Sequence, residues 1–153
     1  MDPELHIALY EPEIPQNTGN IGRLCLGLGA RLHVIHPIGF RMDEKAVRRA
    51  GLDYWKHVDL QEHDNYEQFM NWAKKRRIFS LTTKGASSLW SIKFKHGDIL
   101  LMGPETRGLP ETVRAQTEPC RIPMTGHIRS LNLANATAIA AYHAMAQIKP
   151  SWF

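Results

Sequence analysis

Asp98-Ile99-Leu100-Leu101-Met102-Gly103-Pro104-Glu105-Thr106-Arg107-Gly108-Leu109-Pro110 is the stretch whose reading decides the fold. The unbroken apolar run from Ile99 to Met102 reads as a strand. Gly103 and Pro104 stop it, and a turn rich in Gly and Pro follows. Pro110 then suits the first turn of a short helix through Gln116, because its missing N–H is one the helix leaves unpaired there anyway. Strand, turn and helix in that order are one step of an alternating α/β chain.

The same alternation extends in both directions. His6–Tyr10 reads as a first strand, and a polar, Pro/Gly-rich loop spans Glu11 to Asn20. Ile21 to Leu26 has helical character and ends at Gly27 and Gly29. Arg31–His36 is a second strand, closed by Pro37. Asp43 is placed to cap a helix through Arg49, with Gly51 just beyond it. Asn65 caps an amphipathic helix in which Tyr66, Phe69, Met70 and Ala73 recur at spacings of three and four. Arg77–Thr83 and Cys120–Met124 read as further strands, and an Ala-rich helix from about Asn132 to Ile148 closes the chain. The sum is an α/β fold, a mainly parallel sheet flanked by helices. No repeat or linker interrupts it, so one domain covers residues 1–153.

Composition narrows the function. With 153 residues and 43% hydrophobic content, the chain can bury a core and is no disordered tail. No apolar run approaches the roughly 20 residues of a membrane span. Met1-Asp2-Pro3-Glu4 is acidic and lacks the basic-then-apolar pattern of a signal peptide, so the expected compartment is the cytoplasm. Cys25 and Cys120 have no CxxC partner and read as buried thiols in a reducing environment. A net charge of +4 permits a nucleic-acid partner without demonstrating one.

Three segments carry candidate chemistry, each just after a predicted strand, where open α/β sheets bind ligands. The first runs from Pro12 to Arg23. Asn17 and Asn20 offer donors and acceptors, and Arg23 is expected in the first turn of the next helix, where a cation opposes the dipole. Either Arg23 grips a phosphate or this is an ordinary capped helix with a solvated Arg. The second is Met102 to Pro110, where the lone acid Glu105 either accepts hydrogen bonds from a sugar or orients a neighbouring Arg, or is simply an exposed turn carboxylate. The third joins Ile122-Pro123-Met124 to Arg129-Ser130-Leu131-Asn132 and Asn135. Ser130 is the expected N-cap there, and the Ala-rich helix behind it is apolar enough to need burial, in the fold or against a second subunit.

Other signals carry less. Gly27-Leu28-Gly29 begins like a dinucleotide fingerprint but lacks the third Gly and runs from helix to strand, the reverse order. Lys84-Gly85 has no P-loop frame. The eight histidines show no HExxH and no paired Cys/His spacing, so no metal site is expected. Lys74-Lys75-Arg76-Arg77 is the densest basic cluster, read as a solvated helix end ahead of an RNA contact, and Lys45, Arg48 and Arg49 are read with the same reserve.

Together the three segments resemble the motifs of the SPOUT methyltransferases, a class with a deep C-terminal trefoil knot. The likeness rests on Pro15, Asn17, Gly19, Asn20 and Arg23, on Gly103-Pro104-Glu105 with Gly108-Leu109, and on Ile122-Pro123-Met124 with Ser130, Leu131, Asn132 and Asn135. Gln16 and Gly22 fall at positions expected to vary. The short length and the stretches Leu81–Gly85 and Arg48–Tyr54 look like the minimal TrmL (YibK-like) branch, tRNA (cytidine/uridine-34-2′-O)-methyltransferases that modify the wobble nucleotide of leucine tRNAs. The resemblance implies S-adenosylmethionine as methyl donor, bound at Leu81, Gly103, Ile122, Met124, Ser130 and Leu131. It also implies a homodimer through the closing helix, with tRNA as partner. Arg23 would then grip phosphate and orient the ribose hydroxyl, with a base role open, since a free guanidinium holds its proton. Glu105 would stiffen the site, and Asn17 and Asn132 would hold the loops. The alternatives are another tRNA or rRNA ribose as target, or a non-catalytic RNA-binding module.

Overall fold

The structure is a computed structural model that describes residues 2–42, 45, 52–84 and 87–153. Of the expected helix from Asp43 to Arg49 only Lys45 is among the described residues, and residues 48–51 lie outside them. Seven strands form one sheet: β1 (Leu5–Tyr10), β2 (Arg31–Ile35), β3 (Leu60–His63), β4 (Ile78–Leu81), β5 (Ser87–Ser88), β6 (Asp98–Met102) and β7 (Glu118–Arg121). Their spatial order is β3-β2-β1-β6-β4-β7-β5, and every neighbouring pair is parallel. The helices are α1 (Pro15–Leu28), α2 (Tyr66–Trp72), α3 (Glu111–Arg114) and α4 (Leu133–Ile148), with a 3₁₀ segment at Leu52–His57.

A parallel sheet needs cover on both faces. Side-chain alternation supplies the two faces. Leu5, Ile7 and Leu9 of β1 join Leu100 and Met102 of β6 under α1 and α4, where Ile21, Cys25, Ala140, Ala141, Ala144 and Met145 complete the cluster. Ala8 and Tyr10, with Ile99 and Leu101, face the other way onto Phe69 of α2 and Val113 of α3. After β7 the chain returns across β6 and β1, so that α4 packs on α1. The small Ala side chains allow that close approach. This return path is compatible with the knot that the resemblance implies.

Several boundaries differ from the sequence reading. The segment expected to be a loop as far as Asn20 is helical from Pro15, because Pro at the first helical position supplies the right φ without losing a bond. Arg23 is therefore the ninth residue of α1, outside the first turn, and its charge does not oppose the dipole. Gly29 closes α1 in the left-handed conformation (φ 71°), as expected of a helix-ending glycine. Asn65 caps α2 as expected, its side chain accepting from Gln68 N at 2.8 Å. Asn132 caps α4 in place of Ser130, accepting from Asn135 N at 3.1 Å. The last strand ends at Arg121, which leaves Ile122-Pro123-Met124 beyond the sheet edge. Both cysteines are buried, and burial pushes the Cys120 thiol up to about 11.

The basic cluster is less solvated than its sequence implied. Arg76 makes a two-pronged contact to Asp2 (3.1 and 3.0 Å) and stacks on Trp72, while Arg77 pairs with the buried Asp98 and lies over Phe79. Lys74 and Lys75 keep the expected open position, and Arg77 stays exposed while it makes these contacts. Closing helix α4 is not buried all round either, since Ile139 is 39% exposed and Tyr142 44%.

Candidate functional site

β6, β4 and β7 are adjacent and parallel, so their carboxyl ends share one sheet edge. Register fixes the alignment: Leu81 lies beside Met102 on one side and Cys120 on the other. Gly103 therefore follows β6, Leu81 ends β4, and Ile122 follows β7, all at the same level. Three of the six residues expected to hold the cofactor are brought together by topology alone. Leu81, Ile122, Met124 and Leu131 are half-buried, an apolar and incompletely covered lining. Ser130 is exposed.

Gly103 is required by packing. A Cβ there would lie 2.8 Å from Leu109 N and 3.0 Å from the Gly108 carbonyl carbon, because the 103–109 turn folds back on itself. Gly108 itself adopts φ 67°, which favours glycine. The turn thus brings its backbone groups close to the sheet edge.

Glu105 clamps this turn to the start of α1. Its Oε1 accepts from Glu13 N at 2.8 Å, and its Oε2 accepts from Ile14 N at 2.9 Å and from Asn17 Nδ2 at 3.2 Å. Ile14, the residue before the helix, has no side chain able to cap. The carboxylate that binds the N–H groups there comes from 91 residues away, and negative charge suits a helix N-terminus. Glu13 returns the contact, accepting from Thr106 N at 2.8 Å and from its hydroxyl at 2.9 Å; these bonds hold the Glu13 carboxyl below its ordinary value. Arg107 pairs with Glu11 at 2.8 Å. Asn17, buried in the site, then accepts from Asn132 Nδ2 at 3.3 Å. One chain of side-chain bonds, Glu105 to Asn17 to Asn132, ties together all three segments singled out in the sequence.

Arg23 stands apart from this network. Six residues past Asn17, it is rotated by about 600° around the helix, which leaves it roughly a third of a turn off the Asn17 face. It is exposed, and its guanidinium carbon lies 5.0 Å from the centre of the Tyr54 ring. Tyr54 was not identified as a functional residue from sequence, because a contact across 31 positions has no periodicity to reveal it. A shallow cavity at His36, Pro37, Ile38, Glu62 and Asp64 lies by β2 and β3, away from the candidate site. Among the described residues, no cluster of His, Cys, Asp or Glu is arranged to hold a metal ion.

Comparison with known proteins gives this geometry a context. Residues 4–142 match the family model described as the SpoU rRNA methylase family. A tRNA (cytidine(34)-2′-O)-methyltransferase of Methylovorus glucosotrophus is 49% identical over 144 residues, covering 92% of this chain and 94% of the relative. The Escherichia coli K12 protein of the same description is 46% identical over 147 residues, with 94% of each chain covered. Among solved structures, one from work on the 2-OH methylation of C/U34 on tRNA superposes with a TM-score of 0.92 at 49% identity, covering 95% of this chain and 96% of that one. An AdoMet-bound rRNA methyltransferase from Sinorhizobium meliloti superposes with a TM-score of 0.87 at 27% identity, covering 95% of this chain and 57% of that one.

Proposed function

The chain belongs to the SpoU rRNA methylase family, and from that premise we propose that it is an S-adenosylmethionine-dependent tRNA 2′-O-methyltransferase acting on the wobble ribose, cytidine or uridine, of leucine tRNAs. The observation that carries the reading is the Glu105–Asn17–Asn132 chain, which fastens three strand-end loops into one edge. Relatives 46–49% identical over nearly the whole chain are described as acting at cytidine 34 of tRNA. The leucine isoacceptor is the finest part of the proposal and rests on the sequence resemblance.

The site suits the cofactor. Half-buried apolar side chains at Leu81, Ile122, Met124 and Leu131 match a flat purine and a thioether chain, and the Gly103 turn brings its backbone groups close to the same edge. We assign Leu81, Gly103, Ile122, Met124, Ser130 and Leu131 to holding it. S-adenosylmethionine would supply a methyl group on a positively charged sulfur; passing it to the ribose 2′-oxygen would break the S–C bond, form the O–C bond, and release a neutral thioether and the hydroxyl proton. The chain's own contribution is alignment and exclusion of motion. Glu105, Asn17 and Asn132 hold the loops that define the pocket. Arg23 grips an RNA phosphate and orients the hydroxyl.

The protein acts as a homodimer in this reading. Ile139, Tyr142, Trp152 and Phe153 form an exposed apolar surface on α4 and the tail, and burying it against a second copy is the simplest cover. Action on tRNA makes the cytoplasm the expected compartment, and no helix among the described residues is long and apolar enough to cross a membrane.

The test is nucleoside mass spectrometry of unmodified total tRNA treated with protein and cofactor. A methylated wobble ribose in leucine tRNA is expected. Label only at a D-loop or TΨC-loop ribose would refute the substrate while keeping the enzyme class.

A further inference from the structure

Two consecutive residues of α1 meet two consecutive residues of the 3₁₀ segment Leu52–His57. Arg23 lies over the Tyr54 ring at 5.0 Å, and Gly22 lies against the Trp55 indole. A Cβ on Gly22 would come within 2.5 Å of the indole Cζ3 and 3.1 Å of its Cε3, so only glycine lets the ring lie this close. Trp55 packs against the main core, and its carbonyl accepts from Val58 N at 3.1 Å. The segment is therefore anchored through Trp55 and presents Tyr54 to Arg23.

Resting on the assignment of Arg23 to the RNA, we propose that Tyr54 is a positioning residue for methyl transfer, its ring holding the Arg23 guanidinium in one orientation for phosphate and ribose. An exposed Arg on a helix samples many rotamers, and a guanidinium fixed before RNA arrives loses less freedom on binding. An aromatic face attracts the cation through its quadrupole. The five N–H donors of a guanidinium lie around its edge, so a ring contact on its flat face leaves them available for planar recognition of a phosphate. Gly22, expected from sequence to vary, has a role here: it sets the depth at which Trp55 docks, and so where Tyr54 stands.

The experiment compares Tyr54→Leu, Tyr54→Phe, Gly22→Ala and Arg23→Ala in the full-length protein. The readouts are kcat/KM on tRNA, calorimetric affinity for S-adenosylmethionine and NMR of the Arg23 side chain. Tyr54 is 43% exposed, so its replacements should fold, and thermal melting checks this. Tyr54→Leu should lower kcat/KM by about two- to fivefold, the range expected of a cation–π contact at an exposed site. Cofactor affinity should not change, and the ring-current shift of the Arg23 protons should vanish. Tyr54→Phe should restore both rate and shift, and Gly22→Ala should follow Tyr54→Leu. Equal rates in Tyr54→Leu and wild type, with Arg23→Ala inactive, would overturn the positioning role and leave Arg23 assigned. A Tyr54→Phe protein as impaired as Tyr54→Leu would also overturn it, by assigning the effect to the hydroxyl. Full activity in Arg23→Ala would instead refute the assignment of Arg23, and this inference with it.

Discussion

Acidification should destabilise this protein well before its carboxylates titrate, and the cause is a row of three buried histidines. His6, His33 and His63 sit on neighbouring strands β1, β2 and β3. His6 Nδ1 is 2.9 Å from His33 Nε2, and His33 Nδ1 is 3.0 Å from His63 Nε2. Each bridge holds one proton, which neutral rings can supply, and burial in the row disfavours the charged form of each ring. Trp72 and Phe69 cover the row. Asp2 and Arg76 meet it at His6, Arg31 adds charge near His6 and His33, and Asp64 acts on His63. Burial pushes His6 down to about 4 and His33 down to about 2, and lowers His63 as well. Unfolded, each titrates near 6.5. The folded state thus binds fewer protons below that value, so stability is complete above about pH 7 and falls as the pH drops towards the folded values. At pH 5, about 1.5 units below the unfolded value, His6 and His33 stay neutral in the fold while the unfolded chain binds their protons, which costs about 2 kcal/mol apiece. The two together cost about 4 kcal/mol, a large part of the 5–15 kcal/mol typical of a domain. Asp2 and Glu13, held low, lose their contribution only at more acidic pH, and Asp98, raised by burial, acts in the opposite sense. Urea unfolding at pH 8, 6.5 and 5, at constant ionic strength, should show that fall. It should shrink by about half in His33→Phe, despite that variant's lower stability at pH 8. A stability that is flat from pH 8 to 5, or an unchanged slope in His33→Phe, would refute the reasoning.

Three further outcomes follow from the contacts described. Glu105→Ala removes three accepted hydrogen bonds to a carboxylate and should lower stability by about 1–3 kcal/mol and weaken S-adenosylmethionine binding, read by chemical denaturation and calorimetry. Tyr142→Glu puts a charge on the exposed face of α4 and should yield a folded monomer by light scattering; Ala141→Glu is a poor probe, because Ala141 is fully buried within the subunit. Arg76→Ala loses its Asp2 pair and its stacking on Trp72 and should cost about 1 kcal/mol in denaturant melts, whereas Lys74→Ala should leave stability within about 0.5 kcal/mol.

What could be read from the sequence follows from the range of the interactions involved. Buried parallel strands such as Ile99–Met102 announce themselves because every residue is apolar, and Gly29 and Asn65 announce helix ends because caps need their particular chemistry. β3 was missed because Leu60-Gln61-Glu62-His63 shows no strand signal of its own; it exists through pairing with β2 and through the His33–His63 bridge. The start of α1 was misplaced for a related reason. Its cap is Glu105, far along the chain, and a search for local capping residues finds only Ile14. The three chemical segments could each be seen, but not their connection, since Glu105–Asn17 and Asn17–Asn132 span 88 and 115 positions. Glu105 illustrates why the two halves of the problem differ. As a residue type it is an ordinary turn acid, and only the parallel order β1-β6-β4 sets its loop beside the first one. The same topology leaves Arg23 off that network and beside Tyr54, so the loop-holding network and the pair proposed to meet RNA rest on different faces of one helix. A substitution in the Glu105 network should therefore be felt first in cofactor affinity, and one in the Arg23–Tyr54 pair first in turnover on RNA.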